Sequence, residues 1–219
     1  RISCYPQAQF LRELPELVAG WQSHYAQQGD KAFSIPIGAS DGIGIWGYIA
    51  AAEELAGDMA KAEITEAHWV TATGSGGTQA GLTLGAHLHG VAADVWGVAV
   101  SDDVDYFHKK VGADITDWHE RYQVLDAQPA LDIKTVGGYV APGYGRAHPE
   151  VFECIAQLAR LEGLVLDPTY TGKGFYGLVQ EIAKGRFAGT QDIIFMHPGG
   201  IFGLFPDRHK FSFDSIQRK

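Results

Sequence analysis

The residues best suited to chemistry in this chain form a short loop between an apolar run and a helical pattern. They are Gly74, Ser75, Gly76, Gly77 and Thr78. Glycines let a backbone turn sharply and approach a ligand, and the first amides of a helix have no partners within that helix. Free N–H groups, the positive end of the helix dipole and two hydroxyls favour an anion, so the loop predicts a phosphate site. A tight turn without a ligand would need the same glycines.

The loop is compatible with more than one phosphate ligand. It lacks the Gly-Lys-Ser/Thr ending of a P-loop, which argues against that motif. A dinucleotide is a rival, because the next predicted strand ends in Asp102 and Asp103, where a ribose would be held. The third glycine of the dinucleotide fingerprint falls on Gln79, however, so that fingerprint is incomplete. The third candidate is pyridoxal phosphate, whose single phosphate suits a short cradle of glycine and hydroxyl residues.

The composition limits the class of protein. The chain has 219 residues, a formal net charge of −9 and 46% hydrophobic residues. This is enough for one sizeable core or two unequal lobes, and an acidic chain without a basic stripe is not expected to bind nucleic acid. No apolar run approaches the roughly 18–20 residues of a membrane span, so no membrane partner is expected. Cys4 and Cys154 lie far apart without CxxC spacing; a disulfide between them is the alternative, but two free thiols in a cytoplasmic protein are expected.

Strands and helices are predicted to alternate along the whole chain. Helical spacing predicts helices over residues 10–28, 45–55, 78–89, 103–111, 116–124, 149–161 and 175–184. Branched and aromatic runs predict strands over residues 33–37, 68–73, 94–100, 164–167 and 192–197. Pro15 is placed in the first turn of the first helix, a break is expected at Gly112, and residues 126–145 are irregular. A short polar tail is expected to close the chain.

This alternation with short connections predicts an α/β fold whose sheet is mostly parallel. In such sheets, ligands collect at the carboxyl ends of the strands. Three clusters follow predicted strands, namely Gly74–Thr78, Pro168–Gly172 and His197–Gly200. We therefore expect them to face one crevice. A second glycine-rich loop covers residues 38–44.

Five segments of the chain form a recognisable set in a fixed order, namely residues 35–40, 73–82, 143–145, 159–173 and 197–200. Together they resemble the D-cysteine desulfhydrase and 1-aminocyclopropane-1-carboxylate deaminase family, within a similarity that runs from roughly residue 10 to residue 206. The resemblance implies a partial tryptophan-synthase-β type of fold, with three layers and helices on both faces of the sheet. It also implies pyridoxal 5′-phosphate as cofactor, a small amino acid as substrate and a homodimer.

The resemblance also implies roles for single residues. The cradle from Gly74 to Thr78 would bind the cofactor phosphate, and Tyr144 and Tyr170 would lie near the substrate. Without the resemblance, each tyrosine would be interpreted as a half-buried aromatic with a bonded hydroxyl. Thr171 stands where ring-opening deaminases carry Glu, which favours the desulfhydrase branch. Pro198 stands where that branch carries a threonine that binds the ring nitrogen, so Thr171 or a water molecule would have to replace it.

The lysine that forms the Schiff base in this family lies in an amino-terminal Gly-Asn-Lys type of motif, and this chain has no such motif. Lys173 is not expected to replace that lysine, and we expect it to be a solvated residue at a helix start. The 219 residues, which open with Arg1, would then be most of the large cofactor-binding domain and part of the smaller lobe. The boundary is expected near residues 30–70, and the amino-terminal part of the family fold would be absent.

The reaction implied by the resemblance is an α,β-elimination that turns D-cysteine into pyruvate, ammonia and sulfide. Because it needs the Schiff-base lysine, the 219 residues alone are expected to be incomplete for this reaction. Deamination of 1-aminocyclopropane-1-carboxylate and elimination from L-cysteate are the alternatives within the family. From other classes, a non-catalytic protein that keeps the fold and a nicotinamide-dependent Rossmann enzyme remain possible.

Overall fold

The computed structural model describes residues 2–211, apart from the side chains of Gln7 and Leu11. It divides the chain into two compact units, the first ending at Ile37 and the second beginning at Gly38. The first unit contains helix α1, Gln7–Ala26. Because α1 begins well before the predicted start, Pro15 lies inside the helix, and its expected place in the first turn is wrong.

The strand predicted at residues 33–37 is also wrong. These residues are irregular up to a 3₁₀ turn at Ile37–Ala39, and Phe33 and Ile35 are exposed. A strand needs a neighbour to bond its backbone groups, and Pro36 has no N–H to offer. No strand among residues 2–211 pairs with this segment.

The second unit is built on one parallel sheet. Its four strands are β1 Ala67–Thr73, β2 Ala93–Ala99, β3 Lys134–Val136 and β4 Ile193–Phe195, in the spatial order β3-β2-β1-β4. In the register, Trp69 lies opposite Val95 on one side and Ile194 on the other. The prediction of a parallel sheet is therefore confirmed for these residues.

Helices cover both faces of this sheet. They are α2 Trp46–Lys61, α3 Gly77–Leu88, α4 Val104–Tyr122, α5 Pro149–Glu162 and α6 Thr171–Ala183. Side chains alternate along β1, so Trp69 packs with Leu82 of α3 while Val70 packs with Leu178 of α6. The two apolar cores on either side of the sheet give the three layers that the family resemblance implied.

Two further predictions about elements need correction. Gly112 does not break α4, because Val111 and Ile115 on either side of it are buried against α3 and this packing outweighs the low helix propensity of glycine. Residues 164–167 are not a strand but an irregular approach to α6, with Leu164 exposed.

At the carboxyl end, the predicted polar tail is in part a 3₁₀ helix, Ile201–Lys210, and residues 212–219, like Arg1, lie outside the described part. Among the described residues, no helix has the length and apolar character to cross a membrane. Both cysteine thiols are free.

Candidate active site

The phosphate cradle lies between the end of β1 and the start of α3. Gly76 precedes α3 with a φ of 96°, a left-handed conformation that favours glycine. No side chain among the described residues caps this helix, so the amides of Gly77 and Thr78 are left for an external acceptor. The hydroxyl of Thr73, just before the loop, is buried and has no described hydrogen-bond partner. An open helix start next to an unpaired buried hydroxyl fits the phosphate of the expected cofactor.

Close approaches around the loop show why it needs glycines. A Cβ on Gly74 would lie 3.1 Å from Cε1 of Tyr170, and a Cβ on Gly77 would lie 3.0 Å from Oγ of Ser40. Any larger side chain would displace one of these neighbours. The loop is therefore enclosed by Tyr170 on one side and by the second glycine-rich loop on another.

The two tyrosines lie together beside the cradle. The hydroxyls of Tyr144 and Tyr170 are in hydrogen-bond contact, and their rings meet edge to face with centroids 5.9 Å apart. Because the ring of Tyr170 packs on Gly74, this pair lies at the carboxyl end of β1. Burial raises the pKa of Tyr170, and the hydrogen bond to Tyr144 raises it further. Tyr170 is therefore a neutral phenol at ordinary pH.

Asp167 holds the start of α6 and, with it, Tyr170. Its carboxylate accepts the amides of Thr169, Tyr170 and Thr171 at 2.8 Å each, and the hydroxyl of Thr171 at 2.8 Å. The carboxylate has no solvent contact. The hydroxyl hydrogen of Thr171 is thus used inside the protein, and its expected contact with the cofactor ring stays a prediction.

The expectation that Lys173 is solvated is wrong. Its side chain is fully buried, and its Nζ donates to the carbonyl oxygens of Val140 and Gly143, both at 2.8 Å. Burial lowers the pKa of this amine. Sequence patterns missed this contact because α6 begins at Thr171, before the predicted start at Phe175, so Lys173 lies in its first turn beneath the loop that carries Tyr144.

The cluster His197–Gly200, which follows β4, lies next to Asp167. His197 donates from Nε2 to the carbonyl of Val165 at 3.0 Å and accepts at Nδ1 from the amide of Gly199 at 3.3 Å. Both ring nitrogens are thus used, as expected of a structural histidine. A Cβ on Gly200 would lie 2.6 Å from Oδ1 of Asp167, so this cluster packs on the residue that holds Tyr170.

The acids after β2 have structural partners. Asp103 caps α4 by accepting the amide of Tyr106 at 2.7 Å, and Asp102 lies 2.8 Å from the hydroxyl of Ser101, which can donate to it. A carboxylate engaged as a helix cap is not free to hold a ribose. This arrangement weakens the dinucleotide hypothesis.

A family model described as pyridoxal-phosphate dependent enzyme matches residues 13–199. Over 182 residues, the chain is 35% identical to a bifunctional D-cysteine desulfhydrase/1-aminocyclopropane-1-carboxylate deaminase of Arabidopsis thaliana, described as mitochondrial, covering 82% of this chain and 44% of the relative. It is 37% identical over 179 residues to a D-cysteine desulfhydrase of Klebsiella pneumoniae strain 342, covering 81% of this chain and 53% of the relative. The chain spans about half the length of these curated relatives.

Solved structures agree with the family match. A crystal structure of an ACC (1-aminocyclopropane-1-carboxylate) deaminase homologue superimposes on this chain with a TM-score of 0.79 and 31% identity. The match covers 95% of this chain and 61% of that one. O-acetylserine sulfhydrylase isoform 3 of Entamoeba histolytica gives a TM-score of 0.53 at 13% identity, covering 91% and 56%, which shows the fold alone. The tryptophan-synthase-β type of fold is confirmed.

Proposed function

The chain belongs to the family of pyridoxal-phosphate-dependent enzymes, and from this premise we propose that it carries the phosphate cradle and two active-site tyrosines of a D-cysteine desulfhydrase. The observation that carries the proposal is the contact of Tyr170 with Gly74, which brings the phenol pair to the loop with open amides. Phosphate-binding and substrate-handling groups then lie within one site.

The cradle residues suit the cofactor's phosphate. Ser75, Gly76, Gly77 and Thr78 would hold it through the open amides of the helix start and two hydroxyls. When bound, pyridoxal phosphate supplies an electron-withdrawing ring that accepts the electron pair left on the substrate's α-carbon as its proton leaves. The overall reaction balances as D-cysteine plus water giving pyruvate, ammonia and hydrogen sulfide.

The tyrosine pair would act on the sulfur atom that leaves the substrate. Two hydroxyls that share one hydrogen bond keep one hydrogen free, and the raised pKa of Tyr170 keeps its phenol protonated. We propose that this free hydrogen forms a hydrogen bond to the substrate's sulfur, which holds the substrate in place and stabilises the negative charge that develops on the thiolate leaving from the β-carbon. A positioned donor of this kind contributes about 10²–10³-fold to a rate.

The substrate class follows from the family and from one residue. Both curated relatives are named as D-cysteine desulfhydrases, and Thr171 replaces the glutamate expected of ring-opening deaminases. The match to an ACC deaminase homologue keeps 1-aminocyclopropane-1-carboxylate as the second candidate. A homodimer in the cytoplasm is part of the same proposal. Family membership favours this lyase over a nicotinamide-dependent enzyme.

A substrate panel tests the proposal. The protein, expressed from its whole reading frame with any residues encoded before Arg1, is supplied with pyridoxal phosphate. It is mixed separately with D-cysteine, L-cysteine and 1-aminocyclopropane-1-carboxylate, and sulfide, pyruvate and 2-oxobutyrate are measured. We expect equal amounts of sulfide and pyruvate from D-cysteine alone, lost in Tyr170→Phe. Formation of 2-oxobutyrate alone would identify a deaminase instead. Cofactor binding without turnover of any of the three would contradict the proposal in favour of a non-catalytic protein.

A further inference from the structure

We propose that the second glycine-rich loop, residues 38–44, supports the predicted phosphate cradle from behind. Ser40 of this loop, together with Lys110 and Asp114 of α4, forms a support cluster that sets the cradle's affinity for phosphate. The proposal rests on the proposed function only in taking the anion to be the cofactor's phosphate.

Ser40 links the support cluster to the cradle. It is buried, and its Oγ lies 2.8 Å from the carbonyl oxygen of Ser75 and 2.8 Å from Oδ2 of Asp114. In a trans peptide the C=O and the following N–H point in opposite directions. The Ser40 hydroxyl has one hydrogen, and when it is donated to the Ser75 carbonyl it holds that carbonyl toward Ser40 and so turns the amide of Gly76 away from the support cluster. Ser40 is in this way a positioning residue for a cradle amide.

Lys110 neutralises the carboxylate of Asp114, which lies behind the cradle. Asp114 is buried, and its Oδ2 lies 3.7 Å from the point where a Cβ on Gly76 would stand. An unpaired carboxylate at this place would repel a phosphate held by the loop. Lys110 prevents this by donating to Oδ1 of Asp114, and it also donates to the carbonyl of Ser40 at 2.8 Å.

The rest of the loop is fastened to the same helix, which makes the support rigid. The amide of Gly42 donates to Oδ2 of Asp117 at 2.8 Å, one turn beyond Asp114 on α4. The side chain of Asp41 accepts the amides of Ile43 and Gly44 at 3.0 and 2.7 Å. A loop held to α4 at Ser40 and Gly42, and braced internally by Asp41, can keep the Ser75 carbonyl in one orientation.

Two ligands that differ only by the phosphate provide the test. Calorimetry measures the dissociation constants of pyridoxine 5′-phosphate and pyridoxine, which have no aldehyde and so bind without a covalent bond. In Lys110→Met we expect the phosphate ligand to bind about tenfold more weakly or worse, because an uncompensated carboxylate lies near a divalent anion in a poorly solvated place. Pyridoxine should change less than about twofold, since it lacks the charge on which the Coulomb term acts.

Further variants separate charge from general damage. Adding Asp114→Asn to Lys110→Met should restore the phosphate ligand to within about threefold of the wild type, because it removes the repelling charge. Ser40→Ala should weaken the phosphate ligand alone, and Ser40→Thr should rescue it. Lys61→Met, the same change at an exposed ion pair of α2, is the matched control and should leave both constants unchanged.

The outcomes are distinct. If the wild type does not prefer the phosphate ligand, the proposed function fails. If the wild type prefers it and Lys110→Met keeps the same preference, the support cluster has no such role. Equal weakening of both ligands, without rescue by Asp114→Asn, would likewise overturn the inference, because it would indicate structural damage alone.

Discussion

Replacing Lys173 by methionine tests the structural account of the tyrosine pair. Methionine keeps an unbranched apolar stem but removes the amine that donates to the carbonyls of Val140 and Gly143. Each carbonyl keeps one backbone donor, the amide of Gly143 or of Arg146, so the variant loses the two hydrogen bonds from the lysine and leaves no oxygen unpaired. A hydrogen bond from a charged group contributes about 1.5–3 kcal/mol, and the loss is partly offset because a buried ammonium no longer has to be desolvated. We expect a net loss of about 2–4 kcal/mol in the free energy of unfolding.

The assay combines global and local measurements. Urea unfolding measures the loss of stability, with the exposed Lys61→Met as the control that should cost little. Hydrogen exchange should speed up at the amides of Gly143 and Arg146, whose bonds order the loop that carries Tyr144. Because Tyr144 then loses its fixed contact with Tyr170, kcat should fall more than KM rises. A free energy of unfolding equal to that of the wild type, together with unchanged hydrogen exchange in this loop, would show that Lys173 does not hold the loop in place.

The stability lost in Lys173→Met should also depend on pH, in a direction that the pKa of Lys173 determines. Burial lowers the pKa of Lys173 in the folded protein below its usual value of 10.5, so the unfolded chain binds this proton more tightly. The folded wild type therefore gains stability as pH rises from the lowered pKa toward 10.5. Lys173→Met lacks this component, so the stability difference between the two should widen over that interval. A constant difference would contradict it.

Three further predictions concern the tyrosines and two buried carboxylates. Removing either phenol, in Tyr144→Phe or Tyr170→Phe, should lower kcat about 10²–10³-fold and leave the affinity for pyridoxine 5′-phosphate unchanged. Steady-state rates at the wild-type level would contradict a role for the phenols. Asp167→Asn should lower the free energy of unfolding in urea by about 1–3 kcal/mol, because a side-chain amide cannot accept all four hydrogen bonds. It should also lower kcat, because Tyr170 loses its support. Wild-type stability together with wild-type kcat would refute this role of Asp167. Burial alone would raise the pKa of Glu181, but hydrogen bonds from neighbouring donors outweigh it and lower that pKa to about 2. Glu181→Gln should therefore cost about 1–3 kcal/mol above pH 5, with the cost vanishing as pH falls toward 2, and a pH-independent cost would contradict this.

Local patterns were enough to predict the strand, loop and helix that form the expected cradle. The glycines, the hydroxyls and the helical spacing after Thr73 are near neighbours in the chain, and the structure has β1, the loop and α3 where they were expected. The helix Pro149–Glu162, ended by Gly163 in a left-handed conformation, is predictable for the same reason. The family resemblance added Tyr144 and Tyr170, which composition and spacing alone would not have selected.

Features that depend on distant contacts were not predictable. Lys173 looks like a surface residue until the loop ending at Gly143 covers it, and Ser40 meets Asp114 only when two separate elements pack together. The three-residue strand Lys134–Val136 is too short to give a periodic signal, and it forms because β2 offers it an edge. Conversely, residues 33–37 have the composition of a strand but no strand among residues 2–211 to pair with.

The most direct test of the central claim is a crystal structure of the protein with pyridoxal phosphate. We expect phosphate oxygens within about 2.7–3.2 Å of the amide nitrogens of Gly76, Gly77 and Thr78, with the phenol of Tyr170 beside the pyridine ring. A phosphate bound elsewhere, with these amides facing only solvent, would contradict it.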